Sequence, residues 1–153
     1  MPRPLYIVCA QSSADDKESS IISIFNVVEK LQIAQLPTEE HPGSKLLLLW
    51  PGLRAVSAWM ATADEDYTAE FESSMVLHFP GNPEPFEASR STFRFESQAK
   101  PTMRFTAKFE TPPTATVPGI LRVEQKIRRV GSVEWLSHDY PIIIDLVPTA
   151  TMT

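Results

Sequence analysis

Between residues 119 and 147 the side chains change character at nearly every step, and this period of two constrains the fold more than any other feature. Ile120, Arg122, Glu124 and Lys126 alternate with Leu121, Val123, Gln125 and Ile127. Successive side chains on a strand point to opposite faces of its sheet, so the pattern predicts a long strand. Gly131-Ser132 predicts a tight reversal. The chain is then expected to return as a second strand through Val133, Trp135 and the apolar run Ile142-Ile143-Ile144.

The same logic recurs upstream. Met103, Phe105, Ala107 and Phe109 alternate with Arg104, Thr106, Lys108 and Glu110, and Pro112-Pro113 stops that strand. Further strands are expected over residues 5–10, 45–50, 54–62, 67–79 and 86–96. A polar loop is expected over 11–20, a turn-rich connection over 37–44 and a polar turn at Asp64-Glu65-Asp66. Pro80-Gly81-Asn82-Pro83 is the clearest turn signal, because proline presets φ and glycine or asparagine accepts positive φ. Residues 20–34 support two readings. Ile21, Ile24, Phe25, Val28 and Leu31 fit a helical stripe, with Ser13 or Asp15 as a cap, whereas Ile21, Phe25, Val27, Leu31 and Ile33 fit one face of a strand. The density of Ile and Val favours the strand. The chain therefore reads as all-β, an Ig-like two-sheet antiparallel β-sandwich of roughly eight or nine strands.

A length of 153 residues suits one domain, expected over 1–148, with 149–153 as a flexible tail. Fourteen prolines against five glycines suggest many short connections, since proline is excluded from central ladders. Nineteen acidic and 14 basic residues leave a net charge of −5, which argues against nonspecific nucleic-acid binding. The single cysteine, Cys9, rules out an internal disulfide and a cysteine-only zinc site. Its neighbours Leu5, Ile7 and Val8 predict a buried structural thiol. The apolar run after Arg3 is too short for a secretory signal, and the run over 46–53 is broken by Pro51-Gly52 and cannot span a bilayer. A cytoplasmic protein is expected.

The order of residues resembles a bacterial family of small Ig-like β-sandwich domains of unknown function. The resemblance runs through Asp15-Asp16, the segment Ser23-Ile24-Phe25-Asn26-Val27-Val28-Glu29-Lys30 and Leu36-Pro37. It continues through Val56, Trp59, Glu65-Asp66, Phe71-Glu72, Leu77 and Pro80-Gly81. It ends on Gly119, Arg122-Val123-Glu124 and Tyr140-Pro141-Ile142. It implies an extended conformation near residues 20–33 and carries over no catalytic residue.

Several groups invite a chemical reading. His138-Asp139 beside Glu134 and Trp135 has the residue types of a general base and an aromatic wall, but neighbours on a strand face opposite ways and no nucleophile pattern accompanies them. His41, His78 and His138 lack any paired metal-ligand spacing. Asp64, Glu65, Asp66, Glu70 and Glu72 could offer oxygen ligands to Ca²⁺, yet lack the ordered spacing of a calcium loop and read as a solvated turn. Gly43-Ser44-Lys45 is not a phosphate loop. Trp50, Trp59 and Trp135 could stack on a sugar, although core packing accounts for them as well. The binding candidates are Lys126, Arg128 and Arg129 at a basic hairpin end, together with Trp135 and His138. A non-catalytic binding module is expected, without a cofactor, meeting a protein partner or a second copy of itself through an edge strand or loop cluster. A small-ligand or carbohydrate-binding domain is the first alternative, and a cryptic hydrolase the second.

Overall fold

The computed structural model describes residues 1–16, 21–36, 45–49, 52–109 and 117–147. The expected connection over 37–44, His41, Trp50, the Pro112-Pro113 stop and the tail over 149–153 lie outside the described residues. Among those described, the chain is all-β, with ten strands and one short 3-10 helix, Asp64–Tyr67. The strands are β1 (Arg3–Asp16), β2 (Ile21–Val27), β3 (Lys30–Leu36), β4 (Lys45–Leu49) and β5 (Leu53–Met60). They continue with β6 (Phe71–His78), β7 (Phe86–Phe93), β8 (Thr102–Phe109), β9 (Gly119–Arg129) and β10 (Leu136–Val147). One sheet has the order β2-β1-β5-β8 and the other β4-β3-β10-β9-β6-β7. All pairings are antiparallel except β3 with β10. No helix among the described residues is long and apolar enough to cross a membrane.

Three expectations need correction. The strand expected over 20–34 is two strands in different sheets. Asn26 adopts a φ of 57°, a left-handed conformation that asparagine tolerates better than most residues. The two residues between β2 and β3 then bridge the sheets: Val28 N–H donates to Cys9 O on β1 at 2.8 Å, and Glu29 O accepts from Ile143 N–H on β10 at 2.9 Å. The inward set breaks at that crossing, leaving Phe25 49% and Val27 53% exposed while Leu31 and Ile33 are buried. Second, the loop expected over 11–20 is strand as far as Asp16, because β1 and β2 pair from Ala10↔Val27 to Asp16↔Ile21. Third, the last hairpin turns at Gly131-Ser132 as expected, with Ser132 N–H bonded to Arg129 O, but the chain rejoins the ladder only at Leu136. Residues 130–135 form a loop, so Val133 and Trp135 lie outside β10 and Val133 is 92% exposed.

The core takes the alternating residues of both sheets. At one end Cys9, Leu53, Ala55, Met75, Leu77, Phe109, Leu121, Val123, Ile142 and Ile144 pack together. At the other, Trp59, Phe71, Phe95 and Ile127 form a second cluster, against which Phe93, Met103, Phe105 and Leu136 are packed. The phenylalanines there meet largely edge to face, with Phe93–Phe105 at 5.0 Å and Phe93–Phe95 at 5.4 Å between centroids. Ser57, Ser73, Gln125 and His138 face inward between the two clusters, so the sandwich has a polar belt at mid-height. Trp59 Nε1–H donates to Gln125 Oε1 across the belt. The acidic turn is built into the fold: buried Asp66 Oδ2 accepts the Thr62 and Ala63 backbone N–H groups at 2.9 and 3.1 Å.

Candidate functional site

The outer face of the six-stranded sheet carries the densest arrangement of charge. Even-numbered residues of β9 and β6 point outward, which follows directly from the pleat. In register, Lys126 on β9 lies beside Ser74 on β6, and Ser74 lies beside Arg90 on β7. One level along, Arg128, Glu72 and Thr92 form the corresponding row. A bulge between Met75 and Val76 shifts the register of β7, bringing Glu87 onto the same face as Arg90.

Trp135 closes over this face from the loop preceding β10. Gly131, at φ 90°, turns the chain out of β9 in a conformation that suits glycine, and Ser132 N–H bonds back to Arg129 O at 2.9 Å. Ser132 Oγ then accepts Glu134 N–H at 3.2 Å, shaping the backbone just before the indole. The ring meets three cations. Arg128 lies 4.3 Å from its centroid, Lys126 4.7 Å and Arg90 5.9 Å. Attraction to a ring quadrupole acts within about 6 Å, so all three contribute.

Two carboxylates share the cations. Glu72 pairs with Arg128 Nε at 2.6 Å and with Arg90 at 3.7 Å, and Glu87 pairs with Arg90 Nε at 2.5 Å. The Arg90 hydrogen bond, foremost, holds the Glu87 carboxyl below its usual range. Farther along, Arg122 joins Asp139 at 3.1 Å, and His78 Nε2 meets Glu124 at 3.0 Å.

Of the five sequence candidates, the fold gathers Lys126, Arg128 and Trp135 and separates the other two. Arg129 has the opposite parity from Arg128 and lines a shallow groove of about 460 Å³ with Glu65, Thr68, Ala69, Glu70 and Val130. His138 faces into the sandwich, edge-on to Trp59 at 4.9 Å, with its Nε2 buried and lacking a hydrogen-bond partner among the described residues. Burial lowers its pKa, against a smaller opposing pull from Asp139. Asp139 faces outward to Arg122, so the adjacent pair diverges as strand geometry requires. Arg90 escaped the sequence reading because it comes from another hairpin. Its signal was a lone arginine among small residues on β7.

The remaining candidates resolve into structural roles. Trp59 is fully buried and Cys9 is buried, its thiol pushed up to about 12 by desolvation. The acidic cluster disperses: Asp66 turns inward, Asp64 accepts from Gln98, Glu70 meets Arg94 and Glu72 meets Arg128. Among the described residues no three His, Cys, Asp or Glu side chains are grouped to hold a metal ion. Comparison with known proteins finds no matching family model, no matching curated protein and no matching solved structure.

Proposed function

We propose that this chain is a non-catalytic, Ig-like protein-binding module that accepts an extended segment of a partner as an added strand along β7. The observation that carries this reading is the one-sided pairing of β7. It bonds to β6 through seven registered pairs, and among the described residues no strand lies on its other side. An open edge presents backbone N–H and C=O groups ready to pair with another chain. The bulge and the charges of Glu87 and Arg90 discourage indiscriminate pairing, which favours a partner of matching shape and charge. Trp135 and the arginines beside it are the residue types that dominate binding energy in interfaces.

The Ig-like assignment draws support from strand order. The run β10-β9-β6-β7 corresponds to G-F-C-C′ of a variable-type domain, and β1-β5-β8 to A-B-E. The test joins affinity capture, light scattering and amide exchange. A partner, or a second copy, that protects the amides of Phe86–Phe93 from exchange is the expected result. A strict monomer that recovers no partner refutes the reading, as does a partner that protects another element instead.

A further inference from the structure

We propose that the segment added at β7 is acidic, and that Arg90, Lys126 and Trp135 form the subsite that takes its carboxylates. The inference rests on the strand-addition reading and adds the chemistry of the partner. Three cations surround the Trp135 ring, whereas only Glu72 and Glu87 are paired with them. One positive charge is left over, on a chain whose net charge is −5. Lys126 is the cation of the three without a direct ion pair among the described residues: its charge reaches Glu87 only at longer range, and its ammonium rests 4.7 Å from the indole centroid.

The placement suits a strand. A segment added beyond β7 would put a side chain directly opposite Arg90, with Cβ atoms about 5 Å apart, where opposite charges stabilise a cross-strand pair. Lys126 lies two strands inward on the same row, because Ser74 separates it from Arg90. Serine is short, so the two long cationic side chains converge over it instead of being held apart. Ser74 Oγ donates to Glu87 at 3.2 Å, which keeps that carboxylate to one side of the row. An incoming carboxylate would meet Arg90 at the edge and Lys126 behind it, beside an indole that excludes water from one flank. A free phosphate could satisfy the charge but would make no use of the open β7 backbone. The occupant with both features is an acidic extended peptide.

The test titrates the isotopically labelled chain with hexaglutamate, hexalysine and inorganic phosphate. It follows the Trp135 indole signal, assigned with Trp135→Phe, and β7 amide exchange. Hexaglutamate should shift the indole saturably, weaken with added salt and protect β7, while hexalysine does neither. Lys126→Gln, a surface change that leaves the core intact, should weaken binding roughly three- to fivefold, the scale of one exposed charge pair. No indole response to hexaglutamate, unchanged affinity in Lys126→Gln, or equally tight binding of phosphate would overturn the proposal. Protection of β7 by a natural partner without any hexaglutamate response removes the acidic chemistry and leaves strand addition standing. An indole response without β7 protection removes strand addition, and this inference with it.

Discussion

The buried hydrogen bond between Trp59 and Gln125 gives the sharpest quantitative test of the sandwich. Both residues are essentially inaccessible, on facing sheets, so the bond spans the two layers. Gln125→Leu keeps similar bulk but leaves the Trp59 N–H buried without an acceptor, a cost of about 1–3 kcal/mol. Trp59→Phe strands the Gln125 carbonyl at a similar cost and adds about 1–2 kcal/mol for the missing ring atoms and the space they leave. The double variant has neither stranded group. Its loss should therefore fall short of the sum of the single losses by about 2–6 kcal/mol, the two stranding costs together. Urea denaturation followed by far-ultraviolet circular dichroism measures all four chains without relying on indole fluorescence. Similar slopes would show that the unfolded reference is unchanged. Single effects that add to within about 0.3–0.5 kcal/mol would show that the two groups are not coupled, and the interlayer belt would have to be redrawn.

Other consequences follow from burial. Phe71→Ala should cost about 3–5 kcal/mol because Phe71 is in the core, whereas Phe105→Ala, on partly exposed β8, should cost about 2–3 kcal/mol; the reverse order in chemical denaturation would contradict the packing. His138 is neutral in the folded core, against Trp59 and Gln125 and with Asp139 on its own strand. Its folded pKa is depressed, so its contribution is intact above the unfolded value of about 6.5 and declines as pH falls below it. His138→Gln should flatten the urea midpoint between about pH 7.5 and 5, and an unchanged slope with pH would remove His138 as the cause. Cys9, with its thiol at about 12, should resist a disulfide reagent in the folded chain and react on unfolding, whereas rapid native-state labelling would mean that β1 opens.

Much of the fold was legible because strand alternation is written residue by residue. Met103, Phe105, Ala107 and Phe109 pack inward as their spacing demands, and so do Phe71, Met75, Leu77 and Phe79. Errors arose where a local signal had two outcomes. Val27-Val28 looked like continuous strand, but Asn26 turns the chain and the hydrogen bonds of Val28 and Glu29 go to different sheets. Val133 and Trp135 had the composition of a strand, yet the six-residue loop after β9 leaves them outside the ladder. The candidate site was half legible. Parity along β9 separates Lys126 and Arg128 from Arg129, while Arg90 comes from a strand 36 residues away from Lys126 and enters only through β6, which lies between β7 and β9.

The amino-acid sequence alone determined the secondary structure class, the turn at Pro80-Gly81 and the buried thiol, because each follows from sterics or hydrophobicity within a few residues. Tertiary structure decided which strands adjoin, which edge stays open and which cations share the Trp135 ring. Those choices depend on pairings between residues far apart in the chain. A period of two says which side of a sheet a residue occupies and nothing about the strand beside it.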